Sequence, residues 1–447
     1  PTFADIREHE RNLAQQSILP VPTRARPRYL HLPDEAWGSG MNNVFQAQLL
    51  NTHLAYLSHR GYVFKDYVAS AHPPFPDTFP NGTQIHLRIP MNAITSGPTG
   101  GGSLGVNVDE TRTPRAISLE WWDTVCPPSE VVELGLGETN DELGMSGETT
   151  GLEKLNRWVE KLRRIEAPCV KITGGEPFDW MFIASTKILD LWPSYGNSPT
   201  LKEFAWSALV TRALSRNFAL FSPSTPPPSL LPTLSHIGRI STLGTSSSPY
   251  PLSAFTPYHT ASPPIPGLLA LHVRRGDYSQ HCRNLVEWGS DYSAWNGFGN
   301  PSVRAAHPTF PALPDYLSVP EGMTHGEAAY AHCWPSLDEI VSRAREVRLN
   351  ASQQRQIELS AVYVATNGEP GWVGELMELL RKDGWERVAT SLDMQLARDE
   401  VAVAQAVDMS VMVAAEVFIG VGFSSLSSNV VQLRLAGGRH AATNRFW

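Results

Sequence analysis

Long apolar runs are missing from this sequence, and no stretch approaches the roughly 20 residues that an α-helix needs to cross a bilayer. Cysteine is scarce. The four present, Cys126, Cys169, Cys282 and Cys333, form no Cys-x-x-Cys pair and show no zinc-ligand spacing, which leaves a metal site without support. No two aspartates stand one residue apart, so the Asp-x-Asp pair that bridges Mn²⁺ to a diphosphate in metal-dependent transferases is absent. Basic runs are absent too. Lys and Arg total 36 against 44 Asp and Glu, and the net charge of −8 is spread over both signs, which disfavours a nucleic-acid partner or an anionic membrane surface. Any bound phosphate must therefore meet a local site.

What is present is enough chain for more than one core: 447 residues with 42% hydrophobic content favour two domains. The first residue is Pro1 rather than methionine, which predicts a removed leader or a membrane anchor upstream. Two sequons, Asn81-Gly82-Thr83 and Asn350-Ala351-Ser352, accept glycans only in a secretory compartment, so the expected setting is the lumen of the Golgi or endoplasmic reticulum, or secretion. An oxidising lumen allows three pairings of the cysteines. Cys282 with Cys333 is the expected one, because both flank one long irregular segment, and closing that loop contributes about 4 kcal/mol in the chain-entropy model. The alternative is four buried free thiols.

Along the chain, Tyr29-Leu30-His31-Leu32 reads as a strand, Met41 to His59 as a helix with apolar residues at three- and four-residue spacings, and Tyr62-Val63-Phe64 as the next strand, with Gly61 as the helix stop. Alternation of this kind predicts an α/β fold with parallel sheets whose ligands lie beyond the carboxyl ends of the strands. Ser96 to Arg115 and Ser222 to Pro266 read as loops, and the second, rich in Pro, Ser and Thr, sets a boundary between domains 1–264 and 265–447. An irregular insertion spans 284–331. Its Trp288, Trp295, Phe298 and Tyr316 suit either stacking on a sugar or packing the insertion onto the domain body. Beyond it, Ala361 to Ala365 reads as a buried strand, Gly371 to Asp383 as an amphipathic helix, and Val417-Phe418-Ile419 as the last strand.

Two segments carry chemistry. Leu268 to Asp277 is an apolar strand that ends in Arg274-Arg275-Gly276-Asp277, where a guanidinium offers a planar fork of donors for phosphate oxygens and a carboxylate can steady it; standing alone it would read as a surface salt bridge. Ile419 to Ser428 follows another apolar strand with a Gly-and-Ser turn that opens a helix, presenting N–H groups and hydroxyls to an anion. Serine N-capping alone explains one of its serines, not four. Together the two point to a nucleotide diphosphate.

In this order the segments resemble the GDP-fucose-dependent fucosyltransferases, including the protein O-fucosyltransferase and α-1,6-fucosyltransferase families. His272-Val273-Arg274-Arg275-Gly276-Asp277 looks like their His-x-Arg-Arg-x-Asp motif, Phe418 through Arg434 like their Ser-Ser turn and helix, and Gly38 through Asn43 like their N-terminal Gly-rich, Asn-containing loop. The resemblance covers 265–447 and, before that, only the first strand-loop-helix unit. It implies a GT-B-like pair of Rossmann-like domains facing a cleft, a GDP-fucose donor, no metal requirement, a protein or glycan acceptor, and inversion at fucose. It also implies that Arg274 binds the β-phosphate, His272 sits by the nucleotide, Ser424 and Ser425 hold phosphate oxygens, and Asp408 receives guanine N–H groups. Asn42 enters as a catalytic candidate, and Asn43 and Asn367 as donor-binding ones. Three positions depart from the families' pattern: Asn367 stands where they often have aspartate, Ser39 where one branch has a glutamate proposed as base, and Cys282 near where the other places its glutamate. Asp277 and Asp34 remain as proton acceptors. The alternative function is a catalytically silent nucleotide-sugar or glycan binder; a secreted glycosidase ranks last because it leaves the phosphate-suited elements unexplained.

Overall fold

The expected alternation of strand and helix is realised twice in the computed structural model, which describes residues 1–16, 26–35, 40–68, 88–222, 258–276 and 278–447. Ser39, Asn81, Asp277 and most of the Pro/Ser-rich segment lie outside the described residues. Contacts group the chain into two units. The first holds Pro1–Thr211 with the short strand Tyr258–His259 and Arg398–Val403, and the second holds Thr260–Ala397 and Ala404–Trp447 together with residues from Arg212.

In the first unit five strands, β1 (Tyr29–His31), β2 (Gly61–Phe64), β3 (Ile117–Ser118), β4 (Val131–Gly135) and β5 (Cys169–Thr173), pair all-parallel in the order β3-β2-β1-β5-β4. One helix of this unit, α1 (Met41–Leu57), is capped at Ser58, and Gly61 opens β2 instead of serving as the stop. A second, α2 (Gly151–Arg164), starts on a capping box of Thr150 and Glu153 and buries Leu155, Trp158, Val159 and Leu162, the 3.6-residue stripe expected of a helix laid on a sheet. Cys126 and Cys169 are joined beside Tyr29, Val63, Ile117 and Trp122, tying the chain after β3 to the start of β5.

The second unit repeats the design with β6 (Ile265–Val273), β7 (Ala361–Thr366), β8 (Arg387–Thr390), β9 (Ala415–Gly420) and β10 (Asn444–Phe446), again all parallel, in the order β8-β7-β6-β9-β10. Val417–Ile419 is therefore not the last strand. Asn444–Phe446 follows it, too short and too polar at Asn444 and Arg445 to register as an apolar run. β6 is central and almost wholly buried, as strands covered on both faces by helices must be. The helices that matter below are α3 (Tyr278–Glu287), α4 (His325–Cys333), α5 (Leu337–Arg355), α6 (Pro370–Lys382), α7 (Ala404–Ala414) and α8 (Ser425–Ala436).

The segment 284–331 is less irregular than its sequence implies, with helical turns at Ala294–Gly299 and Pro301–Ala306. Its Trp295 and Phe298 are fully buried and pack the segment onto the unit, while Trp288 is 66% exposed. Cys282 and Cys333 are joined with Cα atoms 5.8 Å apart, pinning α3 to α4 at the base of this segment, and no described cysteine is free. Among the described residues, no helix is long and apolar enough to cross a membrane.

Candidate functional site

Parallel pairing brings the carboxyl ends of β6, β7 and β9 side by side, with His272 opposite Ala365, Val273 opposite Thr366, and Leu271 opposite Ile419. The chain leaving each strand therefore meets the others at one edge. His272 is buried, its Nδ1 lies 2.9 Å from Ser427 Oγ, and its carbonyl accepts the Trp447 indole N–H at 2.8 Å. Burial, helped by the neighbouring Arg274 charge, drives its imidazole down to about 3, so it stays neutral at physiological pH.

The two arginines of the motif part company. Arg275 is buried between the rings of Trp334 and Trp372, 4.6 and 4.3 Å from their centroids, and donates to the carbonyls of Arg274 and Pro335. Its charge is consumed within the unit. Arg274 is half-buried and lies over the ring of Tyr278, 5.3 Å from its centroid. Tyr278 in turn donates to the carbonyl of Phe423 at 3.2 Å, which links the arginine to the turn before α8. The turn after β6 needs Gly276, whose φ of +66° is left-handed, and it is clasped by Asn367. The Asn367 side chain accepts from the Arg275 N–H at 2.8 Å and donates to the Arg275 carbonyl at 3.0 Å. An aspartate here would accept the first bond and lose the second.

The four serines of the Gly-and-Ser turn divide into two pairs. Ser427 accepts from the Val421 N–H as well as meeting His272, and Ser428 Oγ accepts from the Trp295 N–H; both are buried. Ser424 and Ser425 are half-buried at the helix start, and Ser424, the N-cap residue of α8, makes no side-chain cap bond. Its hydroxyl and the first-turn N–H groups are what a helix start offers an anion.

Asp408, on α7, accepts from the Tyr363 hydroxyl at 2.5 Å and from Ser391 Oγ at 3.0 Å, and Ser391 Oγ also accepts from the Thr366 N–H, one residue before Asn367. Burial pushes its carboxyl up to about 6, with both hydrogen bonds opposing the shift. Each carboxylate oxygen keeps one lone pair beyond these bonds.

His272, Arg274, Asn367, Asp408, Ser424 and Ser425 thus belong to one unit and stand on or beside the segments that meet at the carboxyl edge of one sheet. Asn42 and Asn43 lie in the other unit, in the first turn of α1, Asn42 buried and Asn43 exposed. Asp34 is exposed and accepts from the Gly174 N–H. Cys282 is in a disulfide and has no proton-transfer role. Sequence reasoning passed over Tyr278, Ser391 and Tyr363, which orient the named residues; Tyr278, directly after the motif, was the most visible of them.

No family model matches the sequence, and no curated protein matches it. Solved structures do. A high-resolution crystal structure of POFUT1 in complex with GDP is 14% identical, with a TM-score of 0.51 over 94% of this chain and 98% of that one. A crystal structure of POFUT1 in complex with GDP-fucose aligns with the same identity and TM-score over 94% and 97%. The likeness runs along almost the whole of both chains, and this protein, with its two all-parallel five-stranded α/β units, has the fold of POFUT1.

Proposed function

We propose that the protein is a fucosyltransferase that binds GDP-fucose on its second unit and transfers fucose, with inversion and without a metal ion, to a protein or glycan hydroxyl in the secretory pathway. The observation that carries this reading is the linkage of Arg274, through Tyr278, to the uncapped start of α8 at the carboxyl edge of adjacent parallel strands. Open α/β sheets bind nucleotides at that edge, and POFUT1, which shares the fold, has been crystallised with GDP and with GDP-fucose.

In this reading Arg274 and the N–H groups at the start of α8 take the diphosphate, Ser424 and Ser425 add hydroxyl donors, and Asp408 accepts from the guanine edge. As the fucosyl bond breaks, the sugar gains oxocarbenium character and negative charge grows on the leaving GDP, where fixed donors lower the barrier most. Asn367 holds the strand-end turn that aims Arg274. The two disulfides support a lumenal or secreted setting, because such bonds persist in oxidising compartments.

The test is ligand-dependent melting in EDTA with GDP, GDP-fucose and several UDP-sugars, since a ligand raises the melting temperature of what it binds. GDP and GDP-fucose should stabilise the protein and UDP-sugars should not. Stabilisation that requires Mn²⁺, or that favours UDP, overturns the reading. Release of GDP in the presence of an acceptor then separates an enzyme from a silent binder.

A further inference from the structure

The segment 291–299 does more than fill space: its backbone and side chains converge on the turn between β9 and α8. The Ser293 N–H donates to the Gly422 carbonyl at 3.0 Å, and the Trp295 N–H donates to Ser428 Oγ at 3.2 Å. Asn296, fully buried, donates both hydrogens of its amide, one to the Gly422 carbonyl at 2.9 Å and one to the Ser424 carbonyl at 3.2 Å. Beneath the turn lies Tyr292, whose ring packs edge-on against Phe423 and whose hydroxyl is 2.8 Å from His332 Nδ1. A Cβ on Gly422 would overlap that ring, so only glycine lets the backbone sit so close.

The two carbonyls that Asn296 holds decide where two other groups point. In a trans peptide the C=O and the following N–H are antiparallel. Drawing the Gly422 carbonyl toward Asn296 therefore turns the Phe423 N–H the other way, and drawing the Ser424 carbonyl does the same to the Ser425 N–H. Neither N–H finds an acceptor among the described residues. Asn296 is thus the side-chain donor shared by both carbonyls, beside the Ser293 N–H at Gly422 and the Ser428 N–H at Ser424, and it helps fix two peptide planes whose amides at the start of α8 point away from it.

We propose that Asn296 is a positioning residue for the diphosphate: it never touches the ligand, and it orients the Phe423 and Ser425 amides that do. The inference rests on the reading of this turn as the donor site, and it gives the long segment between α3 and α4 a task, with the Cys282–Cys333 bridge holding the base of the segment that grips the turn.

The experiment compares the parent protein with Asn296→Ala and with Asn296→Asp, which keeps the shape and has no hydrogen to donate. GDP affinity is measured by calorimetry, kcat and KM for GDP-fucose are determined per folded molecule, and hydrogen exchange is followed in the peptide spanning 421–428. Both variants should lose about tenfold in GDP affinity and more than that in kcat, because charge on the diphosphate peaks in the transition state. Exchange in 421–428 should quicken about tenfold as the Ser424 and Ser428 N–H bonds loosen. If Asn296→Asp does not fold, Asn296→Ala decides alone. A lower melting temperature with unchanged affinity, kcat and exchange makes Asn296 an ordinary core residue and overturns the proposal. If the parent binds no GDP, the donor reading fails; unchanged exchange in Asn296→Ala then sinks the positioning of the turn as well, and quickened exchange upholds it.

Discussion

The two sheets share a five-stranded all-parallel design, yet their carboxyl edges are used in opposite ways. In the first unit the residues that follow the strands turn inward: Glu35, buried, accepts from Tyr62 at 2.6 Å and from Asn51 at 2.7 Å, and the same Asn51 amide donates to Glu176 at 2.8 Å. Lys65 spends its ammonium on the carbonyls of Pro33 and Leu32. Burial raises the Glu35 carboxyl, and the Lys65 charge is the largest influence opposing it. In the second unit the same edge uses Asn367 and the buried Ser427 and Asn296 to hold backbone, and sets Arg274, Ser424 and Ser425 at a half-buried margin. A buried carboxylate near a strand end is therefore no mark of a catalytic centre.

The amino ends, by contrast, are built alike. Arg60 is buried in the first unit and donates to the carbonyls of Tyr29, Leu162, Ile165, Ala167 and Pro168. Arg434 does the same in the second, reaching the carbonyls of Met412, Val413, Ala415, Glu416 and Thr443 and the Asn444 side chain. Burial pulls both guanidinium groups down to about 9, still charged at neutral pH. The largest expected effect lies here. Arg434→Met and Arg60→Met should each cost about 3 to 5 kcal/mol of stability, on the scale of breaking a buried charge cluster, because the carbonyls lose their donors. Denaturant unfolding measures it, and a loss under 1 kcal/mol in either would show that water replaces the guanidinium.

The next effect separates function from fold. Arg274→Ala should lower kcat by a hundred- to a thousandfold, about 3 to 4 kcal/mol, while GDP affinity falls less and the melting temperature hardly moves. Lysine restores charge without the planar fork, so Arg274→Lys should remain well below the parent. Near-parental turnover by Arg274→Ala would remove the donor site from this edge. Tyr62→Phe is the counterpart in the first unit. It should cost about 1 to 3 kcal/mol by stripping a donor from Glu35, with GDP-fucose affinity unchanged; a change in affinity at unchanged stability would give the inward-turned edge a role in binding.

Much of this was legible in the sequence because its signals are local. The apolar run Leu268–Val273 ending in two arginines, and the Gly-and-Ser turn after Val417–Ile419, each announce the end of a buried strand without reference to the rest of the chain. The Cys282–Cys333 pair was legible for a similar reason, since both residues flank one segment. The division of labour within each motif was not. Arg274 and Arg275 are identical in type and adjacent, and only the arrival of Trp334 and Trp372 from α4's end and α6 makes one structural. Ser424 and Ser427 differ only by what lies beside them, His272 in one case. Asn296 sits in a stretch without periodicity, and its partners are more than 120 residues away. Contacts of that separation leave no pattern in a single sequence.

The smallest expected effect tests the proposed guanine contact of Asp408, and its sign is unusual. Asp408 is raised from 3.8 to about 6 by burial, so in the free protein its contribution to stability is present below about pH 4 and lost as pH rises through 6. Donor binding should run the other way. Only the carboxylate accepts the two adjacent N–H groups of guanine, and a protonated Asp408 would set one donor against another. GDP-fucose affinity should thus hold steady above pH 7 and weaken about tenfold by pH 5, one pH unit below the group's pKa. GDP-fucose is the right probe because its diphosphate is esterified at both ends and has no proton to gain in this range. His272, already neutral, adds nothing to the slope. Asp408→Asn should bind more weakly at pH 7 and show no pH dependence. Calorimetry between pH 5 and 7.5 decides it: a flat profile in the parent, or an undiminished slope in Asp408→Asn, would move the guanine contact to another residue while leaving Arg274 and the α8 turn where they are.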